Sequence, residues 1–355
     1  MTPRTSPAST LRSPRHLELY LGAPLSALEA IAADLAAGVG VEVVTLRSKG
    51  KAREITCPTD ETVRNVHRRI LSMMTPVQMD LPDMVTGYVR GRSSVSNAQA
   101  HAGGAFLQKF DLRDFFHHIS SDAVATGLRD VGFQAEVAAL LAGLTTCRGL
   151  LPAGFSTSPA MANLACRALD EDIAALADSL GLIVTRYADD LTFSGAQFFD
   201  VRSDIGVMVK AHSHVLNEEK TRTLKRGQPM YVTGLSVSEN DRPRLPRPFK
   251  RKLRQELHYI SVFGLAEHAD RHGVKVEGLR FRLGGQLAYA SAVEPDLVKY
   301  FEAHFPAAYR DVARARSPIS DDKRRTRLAQ LAARVAARSD PLAEMYEPTV
   351  TIAAL

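Results

Sequence analysis

Two adjacent carboxylates, Asp189 and Asp190, interrupt the run Leu182-Ile183-Val184-Thr185-Arg186-Tyr187-Ala188, which resumes as Leu191-Thr192-Phe193-Ser194. The β-branched and aromatic residues on either side predict two strands of a hairpin with both acids at its tip. Neighbouring carboxylates repel unless a cation or solvent compensates. Hard oxygen donors of this kind suit Mg²⁺, with Mn²⁺ as a substitute. A solvated Ala-Asp-Asp turn is the alternative reading, and these residues alone leave both open. A third carboxylate, Asp111, ends the strand-like segment Ala105–Asp111, 78 residues before Asp189. If the two strands are adjacent and antiparallel, three acids meet on one edge. That set can hold two Mg²⁺ ions roughly 3.5–4 Å apart, the need of a nucleoside triphosphate attacked by a 3′-hydroxyl. Phosphoryl transfer is mostly positioning and charge neutralisation. Basic companions are therefore expected, and the turn Arg47-Ser48-Lys49-Gly50-Lys51-Ala52-Arg53 supplies them. Lys49 can meet a triphosphate as a point charge and Arg53 bidentately; an exposed hairpin tip is the plainer reading.

The elements that must position these groups are of mixed type. Leu25–Ala37 reads as a helix closed by Gly38, Val41–Leu46 as a strand, and Asp60–Met74 as a helix capped by Thr59 or Asp60. Gly87–Gly104 reads as a polar connection, and Leu150–Ser158 as a turn of small residues that lets backbone approach a ligand. Helices are expected from Asp122, from Gln134, and from Pro159 to about Leu180. After the acidic hairpin come a helix near Asp200–Leu216, strands at Glu219–Leu224 and Met230–Ser238, and helices at Arg247–Phe263, Pro295–Phe305 and Asp321–Arg338.

The chain has 355 residues, 45% hydrophobic and 24% charged, which fits a globular protein of more than one domain. No apolar run approaches the ~18–20 residues that span a bilayer, so no membrane partner is expected. Residues 1–16 carry Arg4, Arg12, Arg15 and three prolines. They read as a disordered basic tail and not as a signal peptide or anchor. Cys57, Cys147 and Cys166 suggest neither a disulfide framework nor a cysteine zinc site, and a cytoplasmic location is expected. The net charge of +6 admits a polyanion partner without requiring one. Its distribution says more: the stretch Arg242–Arg254, with Arg247, Lys250, Arg251 and Arg254, and a second from Arg310 to Arg338 favour nucleic-acid backbone contact over solvated helix faces.

Taken in order, Arg53-Glu54-Ile55…Pro58, Asp111-Leu112-Arg113-Asp114-Phe115-Phe116, Leu151-Pro152-Ala153-Gly154…Ser158-Pro159…Asn163 and Tyr187-Ala188-Asp189-Asp190 resemble the motifs of reverse transcriptases. The similarity runs from about residue 40 to 310. Asn97-Ala98-Gln99-Ala100-His101 and Val232-Thr233-Gly234 resemble two signatures of the retron branch. The resemblance implies an α+β right-hand polymerase: fingers and palm over 17–240, a helical basic thumb over 241–340, and a tail at 341–355. It implies Asp111, Asp189 and Asp190 as catalytic metal ligands and Lys220 as the lysine that protonates leaving pyrophosphate. Leu112, Phe116 and Gly154 would lie at the nucleotide, with Phe116 excluding a 2′-hydroxyl. Asn97, His101, Val232, Thr233 and Gly234 would serve RNA recognition, with the basic thumb. His101 read alone is a structural histidine. The family usually has glutamine where this chain has Ala153.

The resemblance further implies a cognate noncoding RNA and its DNA product, deoxynucleoside triphosphates, a separately encoded effector protein, and a part in defence against phage. A non-catalytic RNA-binding scaffold and a group II intron or diversity-generating type of reverse transcriptase are the alternatives. Nucleotide cyclases share acids at a hairpin, but they lack the long region before Asp111 and the basic helices after Arg242.

Overall fold

A computed structural model describes residues 7–48, 51–239 and 241–313 of the chain. The described chain divides after Pro246 into two units.

In the first unit, helices α1 (Pro7–Thr10), α2 (Pro14–Leu21) and α3 (Leu25–Ala37) precede the antiparallel hairpin β1 (Val41–Ser48) and β2 (Lys51–Pro58). Helix α4 (Glu61–Met79) starts where the Asp60 side chain accepts the Thr62 N–H at 2.6 Å, the expected cap. Residues 7–16, expected as a disordered tail, instead carry α1 and the start of α2. Ala8, Leu11 and Leu17 are buried in the main core with Val66, Ile70 and Met73 of α4, so these few apolar residues outweigh the local prolines and arginines. Inside the expected polar connection lies α5 (Ser94–Ala100), opened by a capping box in which Ser93 and Ser96 bond reciprocally. Two turns of helix are too short to show a period.

Strand β3 (Phe106–Asp111) is followed by α6 (Ser121–Asp130) and α7 (Ala135–Thr145). The cap of α6 is Ser120, whose hydroxyl accepts from Ala123 N–H, and not Asp122. The long helix expected from Pro159 is two, α8 (Ser158–Ala165) and α9 (Arg167–Ser179), which part at Cys166. Helix α8 lies against α6 at Gly127, where a Cβ would stand 2.4 Å from the Leu164 carbonyl oxygen.

The hairpin β4 (Ile183–Tyr187) and β5 (Asp190–Gly195) follows, then α10 (Arg202–Ala211), β6 (Arg222–Lys225), and a small hairpin, β7 (Tyr231–Val232) and β8 (Leu235–Ser236). The central sheet has the order β4-β5-β3-β6 with every pair antiparallel. Phe110 and Phe193 meet edge-on at 5.9 Å within its buried face, and the core there continues into α4, α6, α7 and α8.

The second unit is helical throughout its described residues: α11 (Arg247–Phe263), α12 (Leu265–Arg271), α13 (Val276–Val293), α14 (Pro295–His304) and α15 (Pro306–Ala313). Leu253, Leu257 and Ile260 recur on one face of α11 and are buried, while Arg247, Arg251 and Arg254 are exposed. The expected helix Asp321–Arg338 and the tail 341–355 lie outside the described residues. A mixed α+β unit is thus followed by a helical one. No single helix among the described residues is long and apolar enough to cross a membrane.

Candidate active site

The site is built at one end of the central sheet. Asp111 is the last residue of β3 and pairs in register with Asp190, the first of β5. Asp189 sits beside it in the two-residue turn Ala188-Asp189 that joins β4 to β5. Ala188 takes a left-handed conformation, φ 59°, unusual for a residue with a Cβ. Antiparallel pairing of β3 with β5 therefore brings all three acids to one edge. The Leu112 N–H donates to the Asp189 carbonyl at 2.9 Å and the Asn217 N–H to the Asp111 carbonyl at 2.8 Å, which fixes the backbone on both sides of the acids.

A cavity of about 260 Å³ opens here, lined by Lys109, Phe110, Asp111, Asp190, Lys220 and Arg222. The Lys220 ammonium donates to Asp111 Oδ2 at 2.6 Å. Burial pushes the Asp190 carboxyl above its ordinary value; Lys109 pulls it down, and the charges of Asp189 and Asp111 push it up again. A partly buried carboxylate held among others stays ionised at little cost only if a cation joins it. The donor set is all oxygen, which fits a hard divalent ion. Asp111, Asp189 and Asp190 are the residues that would hold it.

Behind the turn lies a buried clamp that the sequence reading did not find. Arg186 is fully buried and forks onto Asp170 of α9, with Nε–Oδ1 and Nη2–Oδ2 both 2.6 Å. Its Nη1 donates to the Ala188 carbonyl at 3.1 Å and to Asn163 Oδ1 at 3.2 Å. Asn163 in turn donates to the Gly87 carbonyl at 3.0 Å. Burial alone would pull the Arg186 guanidinium down, but the charge and hydrogen bonds of Asp170 more than offset it and hold it above its ordinary value. Gly87 presses on the turn itself: a Cβ there would stand 2.4 Å from the Ala188 nitrogen. The available signal was Arg186, a charge inside an otherwise apolar strand, which demands a buried partner.

Other expected site residues fall into place differently. Leu112 is buried, so its side chain cannot meet a nucleotide; it contributes the backbone bond to Asp189. Phe116 lies in the 3₁₀ turn Phe115–His118 directly after Asp111, partly buried, its ring 5.3 Å from that of Phe115. Gly154, with φ 120°, makes a close backbone approach to the chain itself. A Cβ there would lie 2.6 Å from the Thr56 carbonyl oxygen, and the Thr56 N–H donates to the Ala153 carbonyl at 2.7 Å. The 150–158 turn is thereby stitched to β2. Lys49 lies outside the described residues, as does the side chain of Arg53.

The two expected RNA signatures form a single knot behind the acidic hairpin. His101 is buried; its Nδ1 lies 2.7 Å from Ser194 Oγ on β5 and its Nε2 2.8 Å from Thr185 Oγ1 on β4. Burial, with the charge of Lys109, pulls it down to about 4, so it is neutral at physiological pH. Asn97 is buried and accepts from the Thr86 hydroxyl, which also donates to the Arg186 carbonyl. Val232 is buried as well. Their side chains are buried and not offered to RNA, against the expectation of direct contact: Asn97 and His101 pin α5 to the hairpin, and β7 packs on α5. Thr233 and Gly234, both at positive φ, make the tight β7–β8 turn, and the Thr233 hydroxyl donates to the Ser94 carbonyl at 2.7 Å. On α11, Lys250 is held by Glu294 at 3.2 Å to both carboxylate oxygens, while Arg247, Arg251 and Arg254 remain exposed.

The reverse transcriptase (RNA-dependent DNA polymerase) family matches residues 45–240. Among curated proteins, the Retron Mx162 reverse transcriptase of Myxococcus xanthus is 33% identical over 244 residues, covering 59% of this chain and 50% of its own length. The Retron Ec86 reverse transcriptase of Escherichia coli is 32% identical over 177 residues, covering 49% and 55%. The Retron Ec73 reverse transcriptase of Escherichia coli is 32% identical over 245 residues, covering 61% and 73%. The chain belongs to the reverse transcriptase family and, within it, to the retron reverse transcriptases. It spans about half the length of the first of these relatives. A solved structure that it resembles is Candida tropicalis telomerase with a TWJ fragment of telomeric RNA, at TM-score 0.44 and 10% identity over 84% of this chain and 59% of that one.

Proposed function

We propose that the chain is an RNA-directed DNA polymerase that copies part of a cognate structured RNA into DNA joined to that RNA through a 2′-linked branch. The observation that carries the reading is the register pair Asp111–Asp190 with Asp189 in the adjoining turn, three acids on one edge of a four-stranded antiparallel sheet. Divalent ions held by these acids, Mg²⁺ by preference, would activate the attacking oxygen and neutralise the leaving pyrophosphate.

The chain's own groups do the rest. Lys220, already bonded to Asp111 and lining the cavity, is placed to donate a proton as pyrophosphate departs. Lys109 and Arg222 line the same cavity and favour a polyanionic substrate. Phe116, one turn beyond Asp111, is the group to exclude a 2′-hydroxyl by bulk. The exposed Arg247, Arg251 and Arg254 would meet RNA phosphates, since RNA helices are read through shape, phosphates and 2′-hydroxyls. Names of the relatives support the retron reading, as do the two signatures packed together behind the hairpin. A cytoplasmic setting agrees with three free thiols, Cys57, Cys147 and Cys166. Restraint of a separate effector protein in defence against phage belongs to the same proposal.

The test is to express the chain with its flanking DNA and isolate the nucleic acid bound to it. Samples are run with and without ribonuclease and a debranching enzyme, beside the Asp189→Ala/Asp190→Ala double variant. A small DNA that shifts on debranching and vanishes in the variant is expected. Bound RNA with no DNA in either sample would move the assignment to the non-catalytic scaffold.

A further inference from the structure

Within the helical unit, Glu256 of α11, His268 of α12 and His272 at the C-terminal cap of α12 bring one donor atom each to within 4.8 Å of one another. Glu256 and His268 are buried and His272 is exposed. His268 and His272 are four residues apart, one above the other on a helix face, with ring centroids 4.6 Å apart. The carboxylate comes from the facing helix: Glu256 Oε2 lies 2.8 Å from His268 Nε2. Its other oxygen, Oε1, is held by Arg282 of α13 at 3.1 Å. An ion bound through Oε2 alone would find the carboxylate already oriented by an outer partner, the arrangement that tunes metal-binding carboxylates elsewhere.

We infer that Glu256, His268 and His272 form a binding site for a borderline transition-metal ion, Zn²⁺ foremost, outside the acidic site of the first unit. Two imidazoles and one carboxylate are a donor set for Zn²⁺ and not for Mg²⁺, which takes oxygen ligands. Metal–donor distances of about 2.0–2.2 Å and tetrahedral angles require modest movement. His268 and Glu256 must open slightly from their hydrogen bond, and His272 must swing inward, which its exposure permits. When Nε2 ligates, the His268 ring carries its proton on Nδ1. Three protein ligands leave a fourth position for water. The ion would tie α12 to α11, the helix that presents Arg247, Arg251 and Arg254.

The experiment uses the full chain, without a histidine tag, stripped with a chelator and dialysed. Zn²⁺ is titrated in excess Mg²⁺ and counted by elemental analysis; Co²⁺ is added in parallel for its visible absorption. One equivalent is expected, with tetrahedral-type Co²⁺ absorption, and it should persist in the Asp189→Ala/Asp190→Ala variant. His272→Ala, at an exposed position, should weaken Zn²⁺ binding at least ~10-fold, and Arg282→Ala should weaken it ~10-fold through the freed carboxylate. Circular dichroism confirms that each variant is folded. Zn²⁺ uptake that is absent, or unchanged by His272→Ala, or lost with the two aspartates overturns the inference.

Discussion

Lys220 and Asp111 already touch as base and acid in the cavity, at 2.6 Å, with the lysine half exposed and the aspartate nearly buried. An exposed ion pair adds little to stability, so this one should matter to chemistry more than to folding. The lysine carries its charge toward whatever anion enters beside Asp111. Lys220→Ala is therefore expected to lower kcat for nucleotide addition by ~10²-fold while leaving the melting temperature nearly unchanged. Single-turnover extension on a primed template, with a thermal melt of the same preparation, checks both. A variant with full kcat would remove Lys220 from the catalytic set. The backbone around Asp111 is held without its side chain, because its carbonyl accepts from Asn217 N–H and the next residue's N–H donates to the Asp189 carbonyl.

At the scale of elements, the acidic turn is a two-residue link whose shape is imposed from behind. Gly87 lies flat against Tyr187 and Ala188, and the Thr86 N–H donates to the Arg186 carbonyl at 2.9 Å. Gly87→Ala would drive a methyl group into the Ala188 nitrogen, so one backbone must give way. Overpacking of this kind costs about 1–3 kcal/mol, and the displaced turn carries Asp189. A raised Mg²⁺ requirement for extension and a lowered urea midpoint should appear together. A variant that is destabilised yet keeps its Mg²⁺ requirement would show that the turn holds its shape without Gly87. The strands and acids of this site were legible in the sequence because runs of β-branched and aromatic residues and paired carboxylates are local signals. The clamp was not, since Gly87, Asn163, Asp170 and Arg186 come from four separated segments and meet only when α9 packs on β4. His101 was legible twice over, as a structural histidine by its residue type and as part of a signature by its neighbours. Its bonds to Thr185 and Ser194 join the two readings: the signature is there to hold the hairpin. Helix α5, which carries it, was missed for want of length, and α2 because prolines and arginines hid its buried leucines.

For the molecule as a whole, the buried histidines set how the fold answers to acid. His101 and His214 are each pulled down to about 4, in both cases mainly by burial, and burial likewise lowers His67. In the unfolded chain a histidine titrates near 6.5. Between these values the unfolded state binds protons that the folded state refuses, so stability rises with pH through the window. It is fully present above about 6.5 and is lost as pH falls toward 4. His101 and His214 can each contribute up to roughly 3 kcal/mol of this loss. Asp190 acts in the opposite sense, because its raised carboxyl takes up a proton in the folded state first. The measurement is best made in the Asp189→Asn/Asp190→Asn background, where that contribution is gone. Urea midpoints recorded from pH 7.5 to 4.5 should fall steeply below 6.5, and His101→Gln should reduce the slope while lowering stability at neutral pH through the lost bonds to Ser194 and Thr185. A flat profile across the window would mean that the histidines become solvated in the native state, and that α5 is not held to the hairpin by a dry imidazole.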